Sequence, residues 1–217
     1  LVETSYGTLK VLSRKDSELY QAEVYVEDQT YTYDGQLHQI SELKGTEVVI
    51  NGNIFTISGL SVYAEGLHAG SYEAKITGTP VVSSLTGDDV SDQFNVTLKD
   101  GSLNILRRNV VLSSQSLEKQ YDGKPLTSSS ISVSGDGFVR NEGASFVVSG
   151  VQTGPGSSTN TFSYILDQGT SEKDYNISKD EGTLRVYARE EKYSIVLEAN
   201  SLSEKYDGSE HSIVGIK

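Results

Sequence analysis

The sequence predicts an all-β protein, with at most a minor short helix, built from small β-sandwich or β-grasp-like modules arranged in tandem, end to end. Three observations favour this class. Ordered motifs recur at a period of about 85 residues, apolar and polar residues alternate with period two, and glycine-containing turn signals separate the alternating stretches.

The repeat is carried by two markers. The first is a glycine, a hydroxyl residue, leucine, a polar residue and a branched apolar residue, found at 7–11, 101–105 and 182–186. The second, Tyr-Asp-Gly, begins at positions 33, 121 and 206, so 88 and 85 residues separate its copies. Such a period is too long for one solenoid turn and suits a whole small domain.

These markers divide the chain into one β module at 17–108 and a second at 109–189. Residues 1–16 are predicted to be the closing strand of a preceding module, and residues 190–217 the opening strands of a following one. The apolar strands of both end segments are expected to pair with sheet edges of the adjoining module or of a neighbouring chain. Basic residues follow each glycine marker at the predicted junctions: Arg14, Lys15, Arg107, Arg108 and Arg189.

Period-two alternation predicts half-buried antiparallel strands with one polar face, at 20–26, 72–76, 94–98, 162–166 and 184–186. Asp-Gly and Asn-Gly pairs between such stretches predict tight turns. Residues 38–49 are the best helix candidate. Sandwich and grasp topologies remain open.

Composition excludes several classes of function. The formal net charge is −12, which repels phosphate backbones and anionic lipid heads, so neither nucleic acid nor a membrane surface is expected as a partner. No apolar run approaches the ~18 residues that a spanning helix needs, so direct membrane insertion is not expected. The chain has no Cys, so disulfides, thiolate metal sites and cysteine nucleophiles are impossible. No metal and no cofactor are predicted.

Four segments together resemble the MBG/YDG-type repeat modules of bacterial cell-surface proteins, which are Ig-like or β-grasp-like. Residues 119–126 and 204–211 are similar to the opening motif of that family, 134–138 to its central segment, and 88–103 to its closing strands. The resemblance implies a secreted or wall-attached protein at the bacterial cell surface that acts in adhesion or projects another domain. It implies no catalytic residues.

The repeated residues are interpreted as scaffold, with glycine supplying positive φ and aspartate bonding the turn backbone. The structural turn residues predicted are Tyr33, Asp34, Gly35, Tyr121, Asp122, Gly123, Tyr206, Asp207, Gly208, Gly101 and Gly182. His38 and His211 each lie five residues after the triplet tyrosine, where the second module has Leu126, so a packed or edge role is expected for them. His68 stands alone in a glycine-rich turn.

Two further groups of residues have both a structural interpretation and a chemical alternative. Acidic groups at 88–92, 172–174 and 180–181 are expected to lie in solvated loops, with calcium between modules as the alternative. Asn95 and Asn176 are expected to make polar strand-end bonds, with a Lys–Asn isopeptide bond as the alternative.

The predicted function is a structural spacer or stalk of a surface protein whose partners are neighbouring modules of the same chain. The alternative is an adhesin module that recognises a host glycan or surface protein through exposed tyrosines. The candidates for such contacts are Tyr25, Tyr31, Tyr33, Tyr63 and Tyr187. An enzyme such as a glycosidase, which needs two facing carboxylates, is the least favoured class.

Overall fold

The chain is nearly all β. The computed structural model describes residues 7, 8, 10, 12–14 and 18–216. Two three-residue 3₁₀ turns, Ser91–Gln93 and Glu172–Asp174, each lead directly into a strand. Within the described residues no helix is both long enough and apolar enough to cross a membrane.

Ten strands lie between residues 18 and 106, which we call the first half. They are β1 (Tyr20–Tyr25), β2 (Gln29–Thr32), β3 (His38–Ile40), β4 (Glu47–Ile50), β5 (Asn53–Val62), β6 (Ala64–Gly66), β7 (Gly70–Ala74), β8 (Ile76–Ser84), β9 (Phe94–Lys99) and β10 (Gly101–Leu106). Eight strands lie between residues 108 and 187, which we call the second half. They are β11 (Arg108–Ser114), β12 (Leu117–Gln120), β13 (Ile131–Gly135), β14 (Ala144–Val148), β15 (Gly156–Thr159), β16 (Phe162–Leu166), β17 (Tyr175–Asp180) and β18 (Thr183–Tyr187).

Pairing between these named strands stays within each half. In the first half β9 lies beside β1, and β10 lies between β2 and β7. In the second half β17 lies beside β11, and β18 lies between β12 and β15. Named strands before Arg107 therefore pair only with one another, and so do those after it. Arg107 lies next to the predicted module boundary.

The prediction of antiparallel strands is wrong at 20–26 and 94–98, because β1 and β9, among the named strands, pair only with each other and in parallel. It is confirmed for β7 and β16, which have antiparallel partners, and β18 lies between one parallel and one antiparallel partner. β1 with β9, β2 with β10, β11 with β17 and β12 with β18 are all parallel pairs. The closing strands are separated from the opening ones by most of a half, and such a long connection lets a strand return in the same direction. Alternation reports burial of one face, not the direction of the neighbouring strand.

The helix candidate at 38–49 is also wrong. This segment contains β3, which pairs with β6, and β4, which forms a hairpin with β5. Asn51 and Gly52 connect the hairpin with φ values of 51° and 82°, the left-handed pair that a tight hairpin turn requires. Tertiary pairing and the β-branched run at 48–50 decide the conformation.

The buried side chains form one large cluster in the first half, around Val24 and Leu103. A second cluster crosses residue 107, because Tyr33 and Ile105 of the first half pack with Val110 and Tyr175 of the second. A third, smaller cluster surrounds Leu184. The two halves therefore share part of their apolar interior.

Residues 190–216, which we call the tail, make one isolated antiparallel bridge, between Ala199 and Ile216. Apolar side chains there, such as Ile195 and Leu197, are exposed. The predicted closing strand at 1–16 lies largely outside the described residues. Pairing of either end segment with another chain stays a prediction.

Replacing Leu103 by Ala is expected to destabilise the first half by about 2–5 kcal/mol, because Leu103 is fully buried and its truncation leaves a cavity. Leu106→Ala on the same strand is the matched control, since Leu106 is more than half exposed. Urea unfolding followed by circular dichroism would measure both. Equal midpoints for the two variants would contradict the burial of Leu103.

Candidate functional site

The two halves meet at a carboxylate shared by two phenols. Glu142, in the loop that precedes β14, accepts a hydrogen bond from the Tyr33 hydroxyl at 2.6 Å and another from the Tyr175 hydroxyl at 2.7 Å. Tyr33 directly follows β2 and its backbone N–H donates to Leu106 O. Tyr175 begins β17 and also accepts a bond from Val139 N–H. One side chain of the second half thus ties a residue of each half together.

A second carboxylate crosses the same junction. Asp174 is fully buried, and its oxygens accept the Ala69 N–H at 2.7 Å and lie 2.8 Å from His68 Nδ1. Burial of a carboxylate is unfavourable unless donors replace its water. Because both donors belong to the first half, the Asp174 carboxylate has its hydrogen-bond partners only when the halves are in contact.

Arg108 bridges the halves by its guanidinium. It donates to the carbonyls of Gly137 and Asp136 in the second half at 2.8 and 2.6 Å, and to the Tyr33 carbonyl in the first half at 3.4 Å. The predicted placement of basic residues at the junction therefore has a physical reason at Arg108. A planar guanidinium can reach several carbonyls at once.

Aromatic rings pack around this polar network. The Tyr33 and Tyr175 rings meet edge to face with centroids 5.5 Å apart, and Phe138 packs edge to face on Tyr175 at 5.0 Å. The His68 ring lies nearly parallel to that of Tyr33. These contacts exclude water and strengthen the hydrogen bonds beside them.

The junction changes the acidity of both phenols. Burial, followed by the hydrogen bond to the Glu142 carboxylate, raises the pKa of Tyr33 and of Tyr175 well above the ordinary value of a phenol. Both causes favour the neutral form, which is the form that can donate to Glu142. The two rings act as hydrogen-bond donors and not as bases.

The three Tyr-Asp-Gly triplets form the same turn. The aspartate Oδ1 of Asp34, Asp122 and Asp207 accepts the backbone N–H two residues later, each time at 2.9 Å. The glycines have φ of 74°, 80° and 79°, a left-handed conformation that favours glycine. The predicted roles of aspartate and glycine match this geometry.

The tyrosines of the triplets differ in environment. Tyr33 is buried in the junction, Tyr121 is partly buried against Leu126, and Tyr206 is 97 % exposed in the tail. The expected packing of this tyrosine is therefore found at Tyr33 and Tyr121 and not at Tyr206.

A cation or imidazole supports each aspartate. His38 Nε2 lies 3.0 Å from Asp34 Oδ1, and His211 Nε2 lies 2.9 Å from Asp207 Oδ1. In the second half Lys119 Nζ donates to Asp122 Oδ1 at 2.7 Å. Lys119 precedes the triplet in the chain, so Asp122 has a supporting cation without a histidine at position 126, where Leu126 stands.

Gly101 and Gly182 do not lie in turns with positive φ. A Cβ on Gly101 would lie 2.7 Å from Val26 O, and one on Gly182 would lie 2.4 Å from Ser114 O. Glycine is required at both places because two backbones approach closely. The prediction that they are turn residues is corrected to this extent.

The remaining candidates are the acidic groups and the two asparagines. Asp88, Asp89 and Asp92 are exposed as expected, but Asp174 is buried, so the expectation of a solvated loop is wrong for it. No group of three or more potential metal ligands occurs among the described residues. Asn95 and Asn176 donate to Gln21 Oε1 and Asn109 Oδ1 on the neighbouring parallel strand, as polar strand pairs.

The tyrosines proposed for glycan contact differ in their contacts and burial. Tyr33 is buried, and Tyr31 stacks on His38 with centroids 3.9 Å apart. The Tyr63 hydroxyl donates to Glu65, and the Tyr187 hydroxyl donates to Glu118. The inclusion of Tyr33 among exposed rings is therefore wrong.

Sequence reasoning missed the roles of Glu142, His68 and Asp174 in the junction. A cleft of about 410 Å³ opens beside them, between the Tyr-Asp-Gly turn of the first half and the 139–142 loop of the second. The carboxylate of Glu142 is engaged by two hydroxyls. The arrangement is suited to fixing one half against the other.

No protein-family model matches the chain, and no curated protein or solved structure shows significant similarity to it.

The alkaline titration of the tyrosines tests the junction. Because the folded state raises the pKa of Tyr33 and Tyr175, their contribution to stability is present below the ordinary phenol pKa of about 10 and is lost as pH rises through the folded value. Of the thirteen tyrosines, we expect Tyr33 and Tyr175 to form tyrosinate last, together with opening of the junction.

Tyrosinate absorbance would measure this, and Glu142→Gln is expected to shift the late phase to lower pH. Glu118→Gln is the control, since the hydrogen bond to Glu118 raises the pKa of Tyr187 alone. A late phase that Glu142→Gln leaves unchanged would contradict the assignment.

Proposed function

We propose that the chain is a structural spacer of a bacterial surface protein, made of tandem β modules at 17–108 and 109–189 held end to end. The observation that carries the proposal is the junction, where Glu142, Asp174 and Arg108 each contact the other half. Two modules joined by a flexible linker would need no such contacts. A spacer needs them, because a stalk transmits position only if its units keep their mutual orientation.

Matched polar contacts support the idea that the halves are copies of one unit. Asp28 accepts the Ser102 N–H in the first half, and Ser116 accepts the Thr183 N–H in the second. Asp100 accepts the Ile76 N–H, and Glu181 accepts the Phe162 N–H. These pairs stand at corresponding places in the two strand orders.

The residues that recur in the chain serve turns and close backbone contacts. The tyrosine of the first triplet, a candidate for ligand contact, is used to join the halves. This supports a spacer over a glycan-binding adhesin module. The resemblance to MBG/YDG-type modules supports an extracellular location at the bacterial cell surface, attached to the wall or secreted.

Spin labels in both halves test the spacer directly. The chain has no Cys, so Thr56→Cys and Ser163→Cys introduce the two thiols to which the spin labels are attached. Both positions are exposed. We expect electron–electron double resonance on the full chain to give one narrow distance distribution. Glu142→Ala is expected to broaden it, because the phenols of both halves lose their shared acceptor.

Glu118→Ala is the matched control, since Glu118 accepts a tyrosine hydroxyl within the second half only. It should leave the distribution narrow. A broad distribution in the unsubstituted chain would overturn the proposed rigid spacer.

A further inference from the structure

The second half lacks one strand that the first half has. In the first half β5 lies between β4 and β8 and pairs with both, so each of its edges is covered. In the second half β14 pairs with β16 alone, in a sheet of two strands. One edge of β14 is therefore without a partner strand among the described residues.

A matched serine shows that β14 corresponds to β5. Ser58, on β5, donates from Oγ to Val81 O at 3.4 Å, and Ser149, directly after β14, donates from Oγ to Thr161 O at 3.4 Å. Counting back from these serines, β14 stands where the first half has residues 53–57, whose outer edge β4 covers. The fold thus has a place for an antiparallel strand beside β14.

Alternate backbone groups of β14 point to this open edge. Ser149 N–H donates to Thr161 O, and Asp167 N–H donates to Gly143 O, so the odd-numbered residues bond toward β16. Hydrogen-bonded residues alternate along an antiparallel pair. The even-numbered residues of β14 therefore direct their N–H and C=O groups to the open edge: Ala144, Phe146 and Val148.

The junction uses the part of the chain that forms this strand in the first half. There the chain leaves β1 after one bridge, Tyr25↔Lys44, and then forms β4. In the second half β13 stays paired with β11 as far as Gly135, and the residues that follow form the loop that carries Glu142. No strand is left between β13 and β14 to cover the edge.

The open edge lies in an uncharged part of an acidic chain. Residues 143–166, which contain β14 and β16, are the longest run of the sequence without Asp, Glu, Lys or Arg. On the outer face Val147 and Ile165 are 67 % and 77 % exposed, more than any other large apolar side chain of the named strands. An edge strand with no charge and no proline is open to pairing with another chain. Because two copies with a net charge of −12 repel each other, an uncharged surface is where they can meet.

We propose that β14 pairs with β14 of a second copy of this chain, antiparallel and about a two-fold axis at Phe146. In this register Ala144 lies opposite Val148 of the second copy, and each copy supplies three N–H donors and three C=O acceptors. The contact is the same patch on both copies, so it closes as a dimer.

This pairing also avoids a like-charge contact. The register places Glu142 of one copy beside Gly150 of the second, and not beside the second Glu142. The result is one four-stranded sheet in the order β16, β14, β14, β16, whose outer face gathers the valine and isoleucine side chains of both copies. The dimer does not rest on the spacer role.

Cysteine pairs in the full chain test the register. Ser145 and Val147 share one face of β14 about 7 Å apart, too far for a disulfide with each other. In the proposed dimer Ser145 lies opposite Val147 of the second copy, so Ser145→Cys/Val147→Cys is expected to give a disulfide-linked dimer on mild oxidation. The matched control is Ile54→Cys/Thr56→Cys at the corresponding places of β5, which should stay unlinked because β4 covers that edge.

Light scattering measures the association itself. We expect a monomer–dimer equilibrium that moves toward dimer as salt is raised, because salt screens the repulsion between acidic copies. Val147→Lys is expected to raise the dissociation constant at least about tenfold, since a lysine on an edge strand opposes pairing. Thr56→Lys adds the same charge at the corresponding place of β5 and should leave the equilibrium as in the chain with Thr56.

A chain that stays monomeric at millimolar concentration and high salt would overturn the proposal. Equal weakening by Val147→Lys and Thr56→Lys would place the contact elsewhere and would do the same. The tail is the alternative strand for this edge. A disulfide between positions 147 and 196 in Val147→Cys/Val196→Cys, identified by mass spectrometry, would assign the edge to the tail and overturn pairing of β14 with β14.

Discussion

The arrangement of the two halves depends on the Glu142 carboxylate, which accepts one hydroxyl from each half. A carboxylate shared in this way favours a single relative position, because moving either ring breaks a charge-assisted hydrogen bond in a site partly closed to water. Asp174 adds a second requirement of the same kind, since its burial is tolerable only with His68 and the Ala69 N–H in place. The apolar contacts of Tyr33 and Tyr175 then form in that single relative position.

Local features of the chain were predictable from sequence. Alternation located β1, β9 and β16, and the Tyr-Asp-Gly triplets form the predicted turns because the aspartate and glycine act within a few residues of one another. The parallel direction of the closing strands was not predictable, because it depends on how a long connection returns. Glu142 and His68 were missed for the same reason: their partners, Tyr33 and Asp174, lie more than a hundred residues away in the chain.

The two halves also show how one strand plan tolerates different interiors. Where the first half places Ala74, the second places Asn160, with Ser114 Oγ donating to the Asn160 carbonyl and accepting the Gly182 N–H. The Asn160 side chain donates from Nδ2 to the Gln115 and Ser128 carbonyls, while its Oδ1 accepts no hydrogen bond from the described residues. The two halves therefore differ in a buried polar group although their opening and closing strands are paired alike.

The parallel pairing of opening and closing strands has a mechanical consequence. Tension applied at the two ends of the first half would pull β1 toward its start and β10 toward its end. Since β9 and β10 lie parallel to β1 and β2, that load runs along the strands and shears the ladders. In shear the rungs of a ladder resist together, whereas in peeling they break one after another. The same geometry in β11, β12, β17 and β18 would give the second half a similar resistance to stretching.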